Sequence, residues 1–262
     1  MHRWQVYQRI LASMMTSPTL YVFAISHYCE KARWALDYLG INYTLRHVAP
    51  GEHMQVARKL GCPATSVPYL ALDGRVIQGS ADIISWAESI RSANGRRLTP
   101  ETGIEQAAEI EQRIDDIAGV HVRRFYYSEA LVEHPSTVRP IFTQYLSWHR
   151  KLPIWLGWKK IRSIMTRRMD LGREQGAQSQ QIMDTELEWI DELLADGRSY
   201  LVGDRFSRAD LAVASLLSPL VLPQQHPTYR GLAHPPRLAA TVADWSERAS
   251  LRWVRDIYAK HR

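Results

Sequence analysis

The sequence predicts two domains of different fold class: an α/β domain over residues 18–93 and an all-α domain over residues 94–262. Strand and helix signals alternate through the first stretch, where Asp73–Gly74 between two strand-like runs is a strong hairpin signal. Polar sequence from Asn94 to Pro100 marks the linker between the domains. After this linker strand signals disappear, and apolar residues recur at helical spacing.

Local signals place each element of the α/β domain. Gly40 and Gly61 supply the left-handed residue that commonly ends a helix, and Ser80 is a favoured cap for the last helix. Strand-like and helical runs alternate around these residues. The predicted elements are strand 20–23, helix 29–39, strand 42–48, helix 52–60, strand 67–72, strand 75–77 and helix 80–90. This order, βαβαββα, is what a thioredoxin-like fold requires.

The second domain is predicted from helical periodicity and one capping motif. Ser207 and Asp210 are spaced as a capping box, with Phe206 and Leu211 at the staple positions. Such a cap contributes on the order of 1 kcal/mol to stability, and we assign it no chemistry. The predicted helices span 101–133, 138–150, 154–169, 179–195, 207–218 and 236–258, with a break in the last near Ala249.

Composition narrows the class of partner. The 262 residues carry a formal net charge of +6, which favours anionic small molecules but is too small to indicate nucleic acid. Two cysteines, Cys29 and Cys62, cannot form a disulfide framework, so we expect a cytoplasmic protein. No metal-ligand spacing, phosphate-binding loop or dinucleotide fingerprint is present in the sequence.

Residues 1–17 are predicted to be an N-terminal extension. They lack the apolar core of a secretory signal. Met14 or Met15 would serve equally well as the start of the protein. The longest apolar run, Leu211 to Leu222, is too short to span a bilayer.

The turn Ser26-His27-Tyr28-Cys29 is the strongest functional signal. It follows a strand-like run and opens a helix, so unpaired backbone N–H groups and the helix dipole would favour an anion such as a thiolate. The turn is similar to the Cys-x-x-Cys turn of glutaredoxins, with Ser26 in the first Cys position. With the basic pair Lys31 and Arg33 behind it, the sequence resembles the glutathione S-transferase superfamily. The resemblance covers nearly the whole chain after residue 18.

This resemblance implies glutathione as co-substrate and a homodimer. Ser26 would donate a hydrogen bond to the glutathione thiolate, although serine is also simply favoured as a turn residue or N-cap. Cys29 is the alternative catalytic residue, as a nucleophile activated at the helix N-terminus. It stands in the second position of the redox turn, where a buried and inert cysteine is the more ordinary interpretation.

Further glutathione contacts are implied by the resemblance. Val67 would pair with the cysteinyl backbone beside a cis Pro68, and Ser80 at a helix start would hold the γ-glutamyl end. Gly79 replaces the Glu or Gln that commonly precedes this serine. The γ-glutamyl ammonium therefore loses a partner unless Gln78 or Asp82 binds it instead. His53 falls where some relatives carry a Lys for the glycyl carboxylate.

The helical domain should supply the pocket for the electrophile. Candidates on the first helix after the linker are His121, Arg124, Phe125, Tyr126 and Tyr127, although an aromatic stripe is more often core. Residues 150–173 are rich in Lys and Arg and contain several Trp. A solvated basic face over a buried Trp stripe is the commoner explanation, so contact with a membrane surface is not expected.

These observations favour one function and leave two alternatives. The favoured reaction is attack of the glutathione thiolate on a small apolar electrophile, with no nucleic acid partner. The first alternative is glutathione-dependent reduction or thioether cleavage through Cys29. The second is a binding or scaffold protein that kept the fold and lost catalysis, which the substitution at Gly79 motivates.

Overall fold

The computed structural model describes residues 17–92 and 95–262. Most of the predicted N-terminal extension and the first linker residue, Asn94, lie outside the described residues. The α/β domain contains the predicted elements in the predicted order. They are β1 Thr19–Val22, α1 His27–Leu39, β2 Thr44–His47, α2 Glu52–Leu60, β3 Tyr69–Leu72, β4 Arg75–Gln78 and α3 Ser80–Ile90.

The four strands form one sheet in the order β2-β1-β3-β4. Strand β1 is parallel to β2 and antiparallel to β3, and β3 is antiparallel to β4. Asp73 and Gly74 turn the last hairpin with φ angles of 44° and 74°, so the hairpin prediction is confirmed. Gly40 and Gly61 end their helices with φ angles of 69° and 72°, also as predicted. The thioredoxin-like α/β fold is confirmed.

The chain after the linker is helical in its described residues. Helices α4 and α5 are joined without a break by a π-helical segment, Ile114–Ala118, which the periodicity did not indicate. The helices are α4 Ile104–Arg113, α5 Gly119–Ala130, α6 Pro135–Thr143, α7 Trp148–Leu156, α8 Trp158–Arg168, α9 Arg173–Leu193, α10 Arg208–Val221, α11 Pro236–Trp245 and α12 Ala249–His261.

Several helix boundaries differ from the sequence prediction, and two of them have a clear local cause. The helix predicted over 138–150 is interrupted because Ser147 adopts an extended backbone, with φ −65° and ψ 156°, just before α7. The last helix of the α/β domain begins at Ser80, and its N-cap is Gly79 rather than the predicted Ser80. The capping box at the start of α10 is confirmed: the Asp210 carboxylate accepts hydrogen bonds of 2.7 Å from both the backbone N–H and the hydroxyl of Ser207.

Helix α1 forms the boundary between the domains and packs against α10 in the core. The Trp34 ring lies 5.6 Å from Phe206 and 4.5 Å from Tyr258, measured between ring centroids. Lys31 is fully buried, and its Nζ atom lies 2.9 Å from a Glu111 oxygen and 2.6 Å from an Asp115 oxygen. These buried contacts hold the N-terminus of α1 in a fixed position against the helical domain.

The prediction of a buried Trp stripe in the basic segment is wrong. Trp158 is buried, but Trp148 and Trp155 are exposed. Helix α7 turns only Ile154 into the core, so the rest of its apolar residues face outward. No helix in the described part of the chain is long and apolar enough to cross a membrane.

Candidate functional site

A cavity of about 340 Å³ lies between the two domains at the N-terminus of α1. Its volume is within the range of small-molecule sites. The α/β wall is polar at Ser26 and His53, whereas the helical wall is mainly aromatic and aliphatic with two arginines. The α/β wall consists of Phe23, Ile25, Ser26, His27, Tyr28, His53, Thr65, Ser66 and Val67, and the helical wall includes Arg123, Tyr126, Tyr127, Phe142, Met165, Arg168 and Met169.

Ser26 is the N-cap of α1 and lines this cavity. Its backbone is extended, with φ −78° and ψ 118°, and its Oγ atom accepts a 3.3 Å hydrogen bond from the backbone N–H of Cys29. Because the hydroxyl oxygen acts as acceptor in this cap, the O–H group of Ser26 keeps the capacity to donate to a group in the cavity. The helix dipole adds positive potential at the same point. The site is therefore built to receive an anion.

Cys29 does not lie on the cavity wall. Its side chain is only 3% exposed and belongs to the core. Burial raises the pKa of its thiol to about 12, although the hydrogen bond with Ser26 acts in the opposite direction. The ammonium of Lys31 is held by Glu111 and Asp115 and does not activate Cys29. The structure places Cys29 in the core, which agrees with its interpretation as a buried packing residue, and its catalytic role stays the alternative.

Val67 and Pro68 stand where the resemblance predicts. The peptide bond between them is cis, as expected, and Val67 lines the cavity directly before β3. His53 also lines the cavity, and its ring packs edge-on against Phe23 with centroids 4.7 Å apart. Burial lowers the pKa of His53, so the imidazole is neutral at pH 7. A neutral imidazole is a weak partner for a carboxylate.

Gly79 and Ser80 are not among the residues that line the cavity. Gly79 has a φ of 94°, a backbone conformation that a Glu or Gln would adopt only with strain, and this explains why glycine stands there. Ser80 is buried. The amide of Gln78 is already used, because it bonds both backbone groups of Ala64 and the Ser66 carbonyl. Gln78 is thus not available as the substitute partner.

Arg123 and Arg168 line the cavity and were missed from the sequence. The Arg123 Nε atom is buried and has no hydrogen-bond partner among the described residues. A buried guanidinium nitrogen without a partner costs free energy unless a ligand completes its hydrogen bonds. Arg168 contacts only the Met54 sulfur, at 3.8 Å, among its described polar neighbours. Both cations are positioned to hold anionic groups.

Of the five candidates on the first helices after the linker, two lie on the wall of the cavity. Tyr126 and Tyr127 do so, and both are buried. His121, Arg124 and Phe125 point elsewhere: the His121 ring bonds Ser179, Arg124 pairs with Asp170, and Phe125 packs on Trp245. Arg123 shares the cavity face with the two tyrosines because it precedes them by three and four residues on α5.

His27 connects the candidate site to the helical domain. Its Nε2 atom donates a 2.9 Å hydrogen bond to the Gly119 carbonyl. Burial, reinforced by the charge of Arg123, lowers the pKa of His27 to about 3. The imidazole is therefore still neutral in the folded protein near pH 6.5, where the imidazole of the unfolded chain becomes protonated.

We expect a pH dependence of stability from His27. Its folded pKa lies below the unfolded value of 6.5, so its contribution is complete above pH 6.5 and is lost as the pH falls toward 3. Between pH 7 and pH 5 the free energy of unfolding should fall by about 2 kcal/mol more in the wild type than in His27→Gln. Denaturant titrations of both proteins at each pH measure this difference, and equal slopes would contradict it.

A second cluster of titratable groups lies at the end of α5. Glu129, Glu133 and His134 are close enough to hold a cation. The Glu129 carboxylate, however, accepts hydrogen bonds of 2.9 and 2.6 Å from the backbone N–H groups of Arg237 and Leu238. Glu133 pairs with the Arg237 guanidinium at 3.0 Å. These contacts give the cluster a structural role at the start of α11.

A thioredoxin-like sheet, a helical domain and a cavity at the first helix N-terminus define a two-domain thioredoxin-fold protein. Comparison with known proteins adds a family match for the α/β domain. Residues 20–95 match the family model described as glutathione S-transferase, N-terminal domain. This match supports the resemblance over the α/β domain, and the solved structures described next share the two-domain fold.

Solved structures with the same fold are distant in sequence. Glutathione transferase GSTFuA3 from Phanerochaete chrysosporium is similar with a TM-score of 0.63 and 15% identity, over 95% of this chain and 98% of that one. The beta-etherase LigF from Sphingobium sp. strain SYK-6 is similar with a TM-score of 0.57 and 18% identity, over 92% of this chain and 99% of that one. A glutathione S-transferase of Ceriporiopsis subvermispora in complex with glutathione is similar with a TM-score of 0.59 and 15% identity, over 94% of this chain and 98% of that one. The sequence matches no curated protein.

Proposed function

We propose that this protein binds glutathione in the interdomain cavity and joins it to a small apolar electrophile, the sulfur forming a bond to carbon as a leaving group such as chloride departs. The observation that carries the proposal is the Ser26 hydroxyl, which caps α1, lines the cavity and can act as a hydrogen-bond donor. Glutathione transferases among the proteins of similar fold support glutathione as the co-substrate. The favoured chemistry is attack of the glutathione thiolate on the electrophile.

Three features of the cavity fit glutathione. The Ser26 hydroxyl and the α1 N-terminus suit a sulfur anion. The Arg123 guanidinium has a buried nitrogen that a ligand anion would satisfy. Arg168 suits a carboxylate better than the neutral His53 does. Val67 and Pro68 keep their proposed glutathione contacts. Gly79 and Ser80 do not line the cavity, so their proposed contacts require glutathione to extend beyond it to the start of α3.

The helical wall suits an aromatic or aliphatic electrophile. Tyr126, Tyr127 and Phe142 bring three aromatic rings to the cavity, with the Tyr127 and Phe142 rings stacked at 6.1 Å between centroids. Met165 and Met169 complete the wall with flexible thioether side chains. Flexible methionines adapt to irregular apolar shapes, so a range of hydrophobic acceptors is expected.

Arg123→Gln is expected to weaken glutathione binding by roughly tenfold, because a charge-assisted hydrogen bond contributes about 1.5–3 kcal/mol. Arg124→Gln is the matched control. It lies on the same helix, pairs with Asp170 and does not line the cavity. Calorimetric titration with glutathione measures both Kd values. Equal Kd values for the two variants would show that Arg123 does not hold the ligand.

The proposed function is tested by binding and turnover in the wild-type protein. We expect retention on glutathione resin, a calorimetric Kd for glutathione, and conjugation of glutathione to a chloroaromatic acceptor. Binding without turnover on a panel of apolar electrophiles, or no binding at all, would instead favour the scaffold alternative. Turnover of a glutathione disulfide that is lost in Cys29→Ala would favour the reductase alternative. The homodimer and the cytoplasmic location stay predictions.

A further inference from the structure

The positive charge of this protein is concentrated in one segment. Residues 134–169 contain eight of the 33 Lys and Arg residues and none of the 27 Asp and Glu residues, so the rest of the chain has a small net negative charge. Of the eight cations, Arg150 pairs with Glu52. No ion pair joins the other seven to a carboxylate in the described parts of the chain. Lys159 and Lys160 at the start of α8 are both exposed.

The same segment exposes a continuous apolar stripe. Trp148, Leu152, Trp155 and Leu156 are spaced by four, three and one residues along α7, so they share one face of that helix. Their exposed fractions are 76%, 51%, 49% and 80%. A helix of a globular protein normally turns such a stripe toward the core. Here the stripe faces outward beside Lys159 and Lys160, which follow it within four residues.

We propose that α7 and the outer face of α8 form a docking surface for an anionic phospholipid bilayer. Exposed Trp and Leu side chains beside cations that have no carboxylate partner, one of which (Arg139) stacks on the Trp155 ring, are the features of an interfacial, membrane-associated helix. Trp partitions into the headgroup region, and each nearby Lys or Arg adds attraction to anionic lipid. The surface stands on its own and does not depend on glutathione binding in the cavity.

Charge and side-chain type favour a bilayer over other occupants. A second copy meeting this face about a two-fold axis would bring identical cations together. Single-stranded nucleic acid is bound through aromatic stacking platforms, whereas half of the apolar stripe consists of the aliphatic residues Leu152 and Leu156. A bilayer matches both the aliphatic residues and the diffuse positive charge.

The inferred surface adjoins the interdomain cavity. Helix α8 turns Met165 into the cavity, whereas Lys160 and Ile164 are exposed on its outer side. Membrane docking would therefore bring the cavity wall close to the lipid headgroups. Apolar molecules dissolved in the bilayer would then be near the site.

Sedimentation of the full chain with vesicles tests the surface, without glutathione present. We expect at least tenfold stronger partition to vesicles of phosphatidylcholine and phosphatidylglycerol in equal amounts than to phosphatidylcholine alone, and weaker partition at high salt. Equal partition to the two kinds of vesicle, or none to either, would overturn the proposal.

Two double variants with matched controls separate charge from apolar contact. Lys159→Glu/Lys160→Glu should lower partition to anionic vesicles at least tenfold, and Trp148→Ser/Leu152→Ser about tenfold. Two control variants should keep their partition to anionic vesicles within twofold of the wild type. One is Arg96→Glu/Arg97→Glu, near the other end of α1, and the other is Ile90→Ser/Ile104→Ser, at residues of comparable exposure.

Three results with these variants would refute the lipid surface. One is unchanged partition of Trp148→Ser/Leu152→Ser, which would indicate a purely electrostatic polyanion site. Another is an equal loss of partition in the control variants. The third is concentration-dependent self-association of the wild type that is abolished in Trp148→Ser/Leu152→Ser, which would assign this face to a second copy. All variants change exposed residues, and circular dichroism checks that each one is folded.

Discussion

Ser26→Ala is expected to lower kcat/KM for glutathione conjugation roughly 100-fold. Removing one preorganised donor to a developing or bound anion costs about 100- to 1000-fold in other enzymes. The lower end applies here because the α1 N-terminus and Arg123 remain to stabilise the sulfur anion. Steady-state kinetics with a varied concentration of a chloroaromatic acceptor at saturating glutathione measures kcat/KM for the acceptor.

Two controls isolate the hydroxyl group of Ser26 from its role as N-cap. Ser26→Thr retains a hydroxyl and a capping side chain, so it should keep most of the activity. Cys29→Ala changes a buried residue that does not line the cavity, and it should stay within twofold of the wild type. The loss of the cap in Ser26→Ala should lower stability by about 1 kcal/mol, which is too little to unfold the protein. Full activity of Ser26→Ala would contradict the proposed role.

Lys31→Met is expected to destabilise the protein by about 3–5 kcal/mol, the cost of removing one partner from a buried ion pair. Lys31 is fully buried, and its Nζ atom lies 2.6–2.7 Å from the two Asp115 oxygens and 2.9 Å from a Glu111 oxygen. Without the ammonium, Asp115 loses its ion-pair partner, and Glu111 keeps only Arg208. Urea denaturation at pH 7 measures the change in the free energy of unfolding.

The effect of Lys31 has its own controls. Lys59→Met removes an exposed cation and should change the free energy of unfolding by less than about 0.5 kcal/mol. Lys31→Met/Asp115→Asn should recover part of the loss, because the uncompensated carboxylate is removed together with the ammonium. A Lys31→Met protein as stable as Lys59→Met would show that the buried ion pair does not hold α1 against the helical domain.

The residues of the first turn were predictable because their chemistry is local. A Ser at a helix start after a strand indicates an N-cap, and the structure confirms that Ser26 occupies this position. The hairpin at Asp73–Gly74 and the capping box at Ser207 follow from equally local rules. The cis bond at Val67–Pro68 was expected from the family resemblance rather than from local spacing.

Features that depend on packing between domains were not predictable from local patterns. Helical periodicity showed that Tyr126 and Tyr127 share a face, but which residues join them at the cavity depends on the rotation of α5. Arg123, three residues earlier, was missed for this reason. Periodicity likewise groups Trp148 with Trp155, and it does not show whether another element covers that face. At Gly79 the structure adds a positive φ, whereas the sequence shows only a missing side chain.

The central claim is that the turn at Ser26 stabilises a sulfur anion in the interdomain cavity. The most direct test is the pKa of the glutathione thiol when bound, followed by the ultraviolet absorbance of the thiolate across a pH series. We predict a bound pKa at least one unit below the ordinary thiol value of about 8.5 in the wild type, and a return toward that value in Ser26→Ala. A bound thiol that titrates like free glutathione in the wild-type protein would contradict the account.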